Sequence, residues 1–165
     1  MSRAPVEFFN WPDESAIYDQ SMRNRSVPVD TLLPHIGYQN VAEACEWLGR
    51  VFGFKEAFRY GDPVAGVQMY LGQAYIMLRT ARQGCMIPAH LGYGTQNLTV
   101  FVEDVDAHYG CAKEAGARIV EELHETEYGE RQYGAEDIDG HLWLFSRHAR
   151  DVSPEEWGAT ATLRS

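Results

Sequence analysis

Residues 128–145 read Y-G-E-R-Q-Y-G-A-E-D-I-D-G-H-L-W-L-F, and the architecture of the chain follows from them. Tyr128-Gly129 makes one turn, and a short polar and aromatic run comes after it. A second turn follows at Asp137-Ile138-Asp139-Gly140, and then a strand of almost unbroken apolar character. Asp favours such a turn because its side chain bonds the nearby backbone, and Gly because it accepts positive φ. Two strands joined this way form a hairpin, with Arg131 on the first of them. Alternation leaves either side of that hairpin open to Arg131.

The hairpin is the end of a unit that occurs twice. Leu33-Pro34-His35-Ile36-Gly37-Tyr38 is a short strand, and Asn40 caps a helix from Val41 to about Phe52. Val41, Ala44, Cys45, Leu48, Val51 and Phe52 fall on one helical face, and Gly53 ends the helix. Strands follow at residues 55–60, 66–71 and 74–79, with turns at Gly61-Asp62-Pro63 and Gly72-Gln73. The second copy has a strand at 97–103, a helix capped by Asp104 and ended by Gly116, and strands near 118–123, 131–136 and 141–146. The two helix-ending glycines are 116 − 53 = 63 residues apart, as are Asn40 and Glu103 at 103 − 40 = 63. Self-similarity at a fixed offset marks a repeated supersecondary unit. The fold class is therefore α+β: two β-α-β-β-β repeats forming a curved mixed sheet. One helix cannot cover both faces of four strands, so the concave face is a natural ligand cleft. The expected divisions are an N-terminal extension over 1–30, a first unit over 31–80, a linker over 81–95, a second unit over 96–148 and a tail over 149–165.

Composition narrows the functional classes. An apolar fraction of 45% with 23% charged residues is ordinary for a globular domain, and a net charge of −10 disfavours nucleic acid. No apolar run is long enough to span a membrane, and residues 1–10 lack the apolar core of a signal peptide. A cytoplasmic protein is expected. The three cysteines are scattered without a C-x-x-C spacing, so they read as free thiols. The extension carries Phe8, Phe9 and Trp11 beside a helix start at Pro12, which suits packing on the domain or on a second subunit. In the tail, Ser153-Pro154-Glu155-Glu156 is a capping box that predicts a short helix anchored by Trp157.

The segments P-H-I-G-Y-Q-N-V-A-E-A-C-E-W-L-G-R-V-F-G-F, N-L-T-V-F-V-E-D-V-D-A-H-Y, Y-G-E-R and D-I-D-G-H-L-W resemble, in this order, those of the vicinal oxygen chelate superfamily. That superfamily includes glyoxalase I, bleomycin resistance proteins and extradiol dioxygenases. The resemblance implies homodimers and a ligand in the concave cleft. It also implies, in metal-dependent members, His or Glu ligands on strands one, four, five and eight. Those positions here hold His35 or Leu33, Met77, Asn97 and Leu144, and Met and Leu offer no hard donor. No metal and no cofactor are expected.

The residues left for the cleft are His35, Gln39, Tyr75, Met77, Arg79, Asn97, Thr99, Phe101, Arg131, Tyr133 and Leu144. This aromatic, amide and cationic mixture suits a small aromatic or anionic organic molecule. His141 alternates away from Leu142 and Leu144, toward the helix side or an interface. The alternative is a lyase, isomerase or dioxygenase of the same superfamily, either metal-independent or with displaced ligands. In the metal-independent case His35, Tyr133 or a nearby Glu would serve as base.

Overall fold

The computed structural model describes residues 32–82 and 86–160. The expectations for the extension over 1–30 and for Cys85 lie outside the described residues. In the first unit, β1 (His35–Tyr38), α1 (Val41–Phe52), β2 (Lys55–Tyr60), β3 (Gly66–Leu71) and β4 (Ala74–Thr80) follow one another. A short helix, α2 (Pro88–Leu91), interrupts the linker. The second unit comprises β5 (Asn97–Phe101), α3 (Val105–Glu114), β6 (Arg118–Glu125), β7 (Glu130–Glu136) and β8 (Leu142–His148).

Each unit forms its own four-stranded mixed sheet, ordered β1-β4-β3-β2 and β5-β8-β7-β6. The first strand of each unit pairs parallel with the last, and the other pairings are antiparallel. The repeat is visible at the helix starts. Asn40 accepts from the Glu43 N–H and Asp104 from the Ala107 N–H, so each supplies one of the acceptors a helix N-terminus lacks. These caps are 104 − 40 = 64 residues apart, one more than the offset of the glycines.

Alternation along the strands sorts side chains between two faces. Ile36, Tyr38, Met69 and Leu78 from the first sheet, and Tyr133, Ala135, Trp143 and Phe145 from the second, join one core with the helices. The six predicted face residues of α1 are all buried. Full burial of an aliphatic or aromatic side chain is worth roughly 1.5–3 kcal/mol, so this shared core dominates stability. The core crosses between units: the Phe52 ring lies 4.8 Å from Phe145 and 6.0 Å from Trp143, and Phe54 lies 5.4 Å from Trp143. His35, Met77 and Arg79, and likewise Asn97, Thr99, Phe101 and Leu144, are left on the faces turned away from it.

Cys45 sits in this core, and burial beside the Glu56 carboxylate pushes its thiol up to about 11. The tail forms a 3-10 turn at Pro154–Trp157 with the Ser153 and Glu156 box in place. Trp157 rests edge-on against Tyr128 and stays exposed, so it is a surface contact and not a buried anchor. Among the described residues, no helix is long and apolar enough to cross a membrane.

Candidate functional site

The turn before β8 positions one wall of the site. The buried Asp137 carboxylate accepts the backbone N–H groups of Asp139 and His141, the Tyr38 hydroxyl at 2.6 Å and the Trp143 indole N–H at 3.0 Å. Asp139 in turn accepts the Gln39 N–H at 2.7 Å. The second unit's turn is thereby clamped to the C-terminal end of β1. His141 packs its ring edge-on against Tyr38 and reaches the Gly37 carbonyl at 2.8 Å. A carbonyl only accepts, so Nε2 of His141 carries the hydrogen.

The opposite wall is the linker. Pro88 opens α2 with a preset φ, Gly92 closes it at φ +80°, and the Ala89 N–H donates to the Asp139 carbonyl. Ile87 is buried by this docking, and a Cβ on Gly37 would stand 3.9 Å from it. Between linker and strands lies a cavity of about 340 Å³, bounded by His35, Gly37, Arg79, Arg82, Ile87 and His141 among others. That volume lies near the lower end of the roughly 300–1,000 Å³ typical of small-molecule pockets.

His35 and Arg79 share a face because β1 and β4 run parallel, with His35 opposite Met77 and Gly37 opposite Arg79. His35 is exposed, and slight desolvation, then the neighbouring Arg79 cation, hold its imidazole below its ordinary pKa, so it is neutral near pH 7. Among the described residues, no Asp or Glu lines the cavity. Among the described residues, neither Arg79 nor Arg82 forms a salt bridge.

The other sequence candidates scatter. Gln39 engages Asp139 through its backbone and leaves its side chain exposed. Met77 is buried beside His35 on the cavity side of the first sheet. Tyr75 packs on Tyr70 with ring centroids 5.7 Å apart. With Thr99 it lines a more open depression, near Pro34 and Leu98, of about 500 Å³. Asn97 borders a third hollow with Gln96 and Leu142. Leu144 is half-buried near Gly134, while Phe101 is 65% exposed and borders none of these three hollows.

Two candidates are engaged on the other face, because their row of β7 faces α3. Tyr133 is fully buried, with its hydroxyl 2.7 Å from His108 Nδ1. Arg131 forks onto Asp106 in the first turn of α3, with contacts from 2.7 to 3.1 Å. Neither lines the 340 Å³ cavity. Conversely, the reading of the residues missed Arg82 and Ile87 as cavity walls. Pro88 and Gly92, at opposite ends of a five-residue stretch, were the available signal that the linker folds.

The metal centre implied by the resemblance does not fit these residues. Among the described residues, no group of three or more His, Cys, Asp or Glu is placed to hold an ion. Met77 beside His35 and Leu144 opposite Thr99 bring a thioether and a hydrocarbon where hard donors are needed.

A sequence model of the Glyoxalase/Bleomycin resistance protein/Dioxygenase superfamily matches residues 31–145. Uncharacterised proteins of Mycobacterium bovis and Mycobacterium tuberculosis are each 28% identical over 133 residues. Each match covers 76% of this chain, with 88% of the first protein and 78% of the second. Among solved structures, TioX from Micromonospora sp. ML1 is 30% identical and superposes with a TM-score of 0.60, covering 75% of this chain and 100% of TioX. TnmS3, an antibiotic binding protein from Streptomyces sp. CB03234, superposes with a TM-score of 0.59 at 19% identity, a likeness of fold that covers 71% of this chain and 93% of TnmS3. With the match spanning both units and the paired sheets repeating the same order, the chain belongs to the Glyoxalase/Bleomycin resistance protein/Dioxygenase superfamily.

Proposed function

We propose that this protein binds a small aromatic or anionic organic molecule in the hollow between its first unit and the linker, without a metal, as a cytoplasmic homodimer. The observation that carries the reading is the cavity of about 340 Å³, where apolar Ile36, Ile87, Pro88 and Leu91 stand beside His35, His141 and two arginines. Such a lining grips an organic body by apolar contact and orients it through a few polar groups. The antibiotic-binding role named for TnmS3 supports a sequestering function on this fold. The outlying Tyr75, Asn97, Thr99, Phe101 and Leu144 would extend the contact surface once a second copy closes over the open faces, with Gln39 and Met77 flanking the cavity. Thermal unfolding with a panel of aromatic acids, amines and neutral analogues tests the reading. A ligand of the native state raises the melting temperature progressively with its concentration above Kd, and a flat response across the panel would refute binding. Light scattering should give 2 × 18.7 = 37.4 kDa.

A second reading rests on one observation. His35 is held neutral beside a cationic Arg79, which suits a general base next to a group that stabilises developing negative charge. A metal-independent lyase or isomerase would use the pair in that way. Exchange of a ligand's α-hydrogen for deuterium, lost in His35→Gln, would favour this reading over sequestration.

A further inference from the structure

Among the described residues, the arginines outside the cavity either meet an acid or, as Arg50, Arg147 and Arg150 do, stand exposed where water screens their charge. Arg59 pairs with Glu56, Arg118 with Glu136 and Arg131 with Asp106. The chain offers 24 acidic residues to 14 Lys and Arg, so partners are plentiful. Yet the cavity lining contains Arg79 and Arg82, no acid, and no salt bridge to either guanidinium among the described residues. Arg79 is half-buried, which raises the cost of leaving its charge uncompensated. We infer that the cavity is an anion site, and that its ligand is an apolar or aromatic molecule bearing a carboxylate, sulfonate or phosphate held by Arg79 and Arg82.

This inference rests on the binding reading above and narrows it. A guanidinium presents a planar fork of donors that matches such groups, and charge-assisted bonds of this kind are about twice as strong as neutral ones. His35 complements the pair without competing with it, since a neutral imidazole can donate one hydrogen bond to an anion. Ile87 and Pro88 of the linker, and Ile36 behind them, supply the apolar wall for the ligand's body. The net charge of −10 repels anions at long range, but at physiological salt this repulsion is screened beyond about 8 Å. Inside that distance the local arginines dominate.

A matched pair of fluorescent probes separates the two levels of the claim. 8-Anilinonaphthalene-1-sulfonate and N-phenyl-1-naphthylamine share a skeleton and differ by the sulfonate. Titrated into the full chain, the sulfonate should bind at least about ten-fold more tightly, or about 1.4 kcal/mol. Replacing both arginines (Arg79→Gln with Arg82→Gln) should remove that advantage and leave the neutral probe unchanged, while Arg147→Gln removes one equal charge elsewhere and should change neither. The sulfonate's advantage should also shrink as salt is raised. Equal binding of both probes, insensitive to the arginine substitutions, would overturn the anion site while leaving the binding reading intact. Failure of both probes to saturate would overturn the two together.

Discussion

The Tyr38 hydroxyl lies 2.6 Å from Asp137 Oδ2, a buried bond between residues 99 positions apart. The same oxygen takes the Trp143 indole N–H, and the other takes two backbone N–H groups of the turn. Asp137→Ala would orphan four donors at once. Each buried unsatisfied donor costs ~1–3 kcal/mol, and relaxation with water entry recovers part of the sum, so a net loss of about 3–5 kcal/mol is expected. Urea unfolding should show the midpoint falling with little change in slope. Tyr38→Phe removes one donor together with its burial and should cost only about 1 kcal/mol.

His108 couples the units in a different way. Its Nε2 donates to the Phe52 carbonyl of the first unit at 3.0 Å, and its Nδ1 accepts from Tyr133 in the second. Burial lowers its pKa, so the folded state binds a proton less readily than the unfolded chain. Its contribution is therefore complete above the unfolded value of about 6.5, and it is lost as pH falls below that. Exposed His148, whose pKa is raised by Glu130 and Asp151, acts in the opposite sense and is screened by solvent. Unfolding midpoints measured from pH 7.5 to 5 should decline in the native chain and decline less in His108→Gln.

Two glycines separate strain from mere proximity. At Gly129, φ is +90° and an added Cβ would fall 2.1 Å from the Arg150 carbonyl oxygen, a backbone atom that cannot swing aside. Gly129→Ala should cost more than about 2 kcal/mol, combining left-handed strain of ~1–2 kcal/mol with that overlap. At Gly66 the obstacle is the Tyr60 ring at 2.3 Å, but Tyr60 is exposed and free to rotate. Gly66→Ala should be the milder change in calorimetry.

Phe101 is a control for the location of the site. With its ring 65% exposed, Phe101→Ala should alter stability by less than about 0.5 kcal/mol. It should leave affinity for a ligand of the 340 Å³ cavity unchanged in a monomer. A large loss of affinity in the dimer would place a second copy's contact over β5.

The repeated unit was legible because each boundary is set locally. Asn40 and Asp104 cap helices through hydrogen bonds to residues three positions on, and Gly53 and Gly116 end them through their own φ. The face of Arg131 was not legible, since alternation orders a strand's side chains without saying which row meets the helix. That choice depends on Asp106 waiting in α3, contributed by another element. The cavity was only half legible for the same reason. His35 and Arg79 belong to paired strands, whereas Arg82 and Ile87 reach the site through a linker whose path depends on a bond from Ala89 to Asp139.

Among the described residues no backbone ladder crosses from one sheet to the other, so the joint between the units combines the rings of Phe52, Phe54, Trp143 and Phe145 with the side-chain bonds of Asp137 and His108. Apolar association weakens on cooling. The apolar part of that seam therefore loosens in the cold. Because His141 brings the second unit to a cavity otherwise built by the first unit and the linker, the shape of that cavity depends on the same joint.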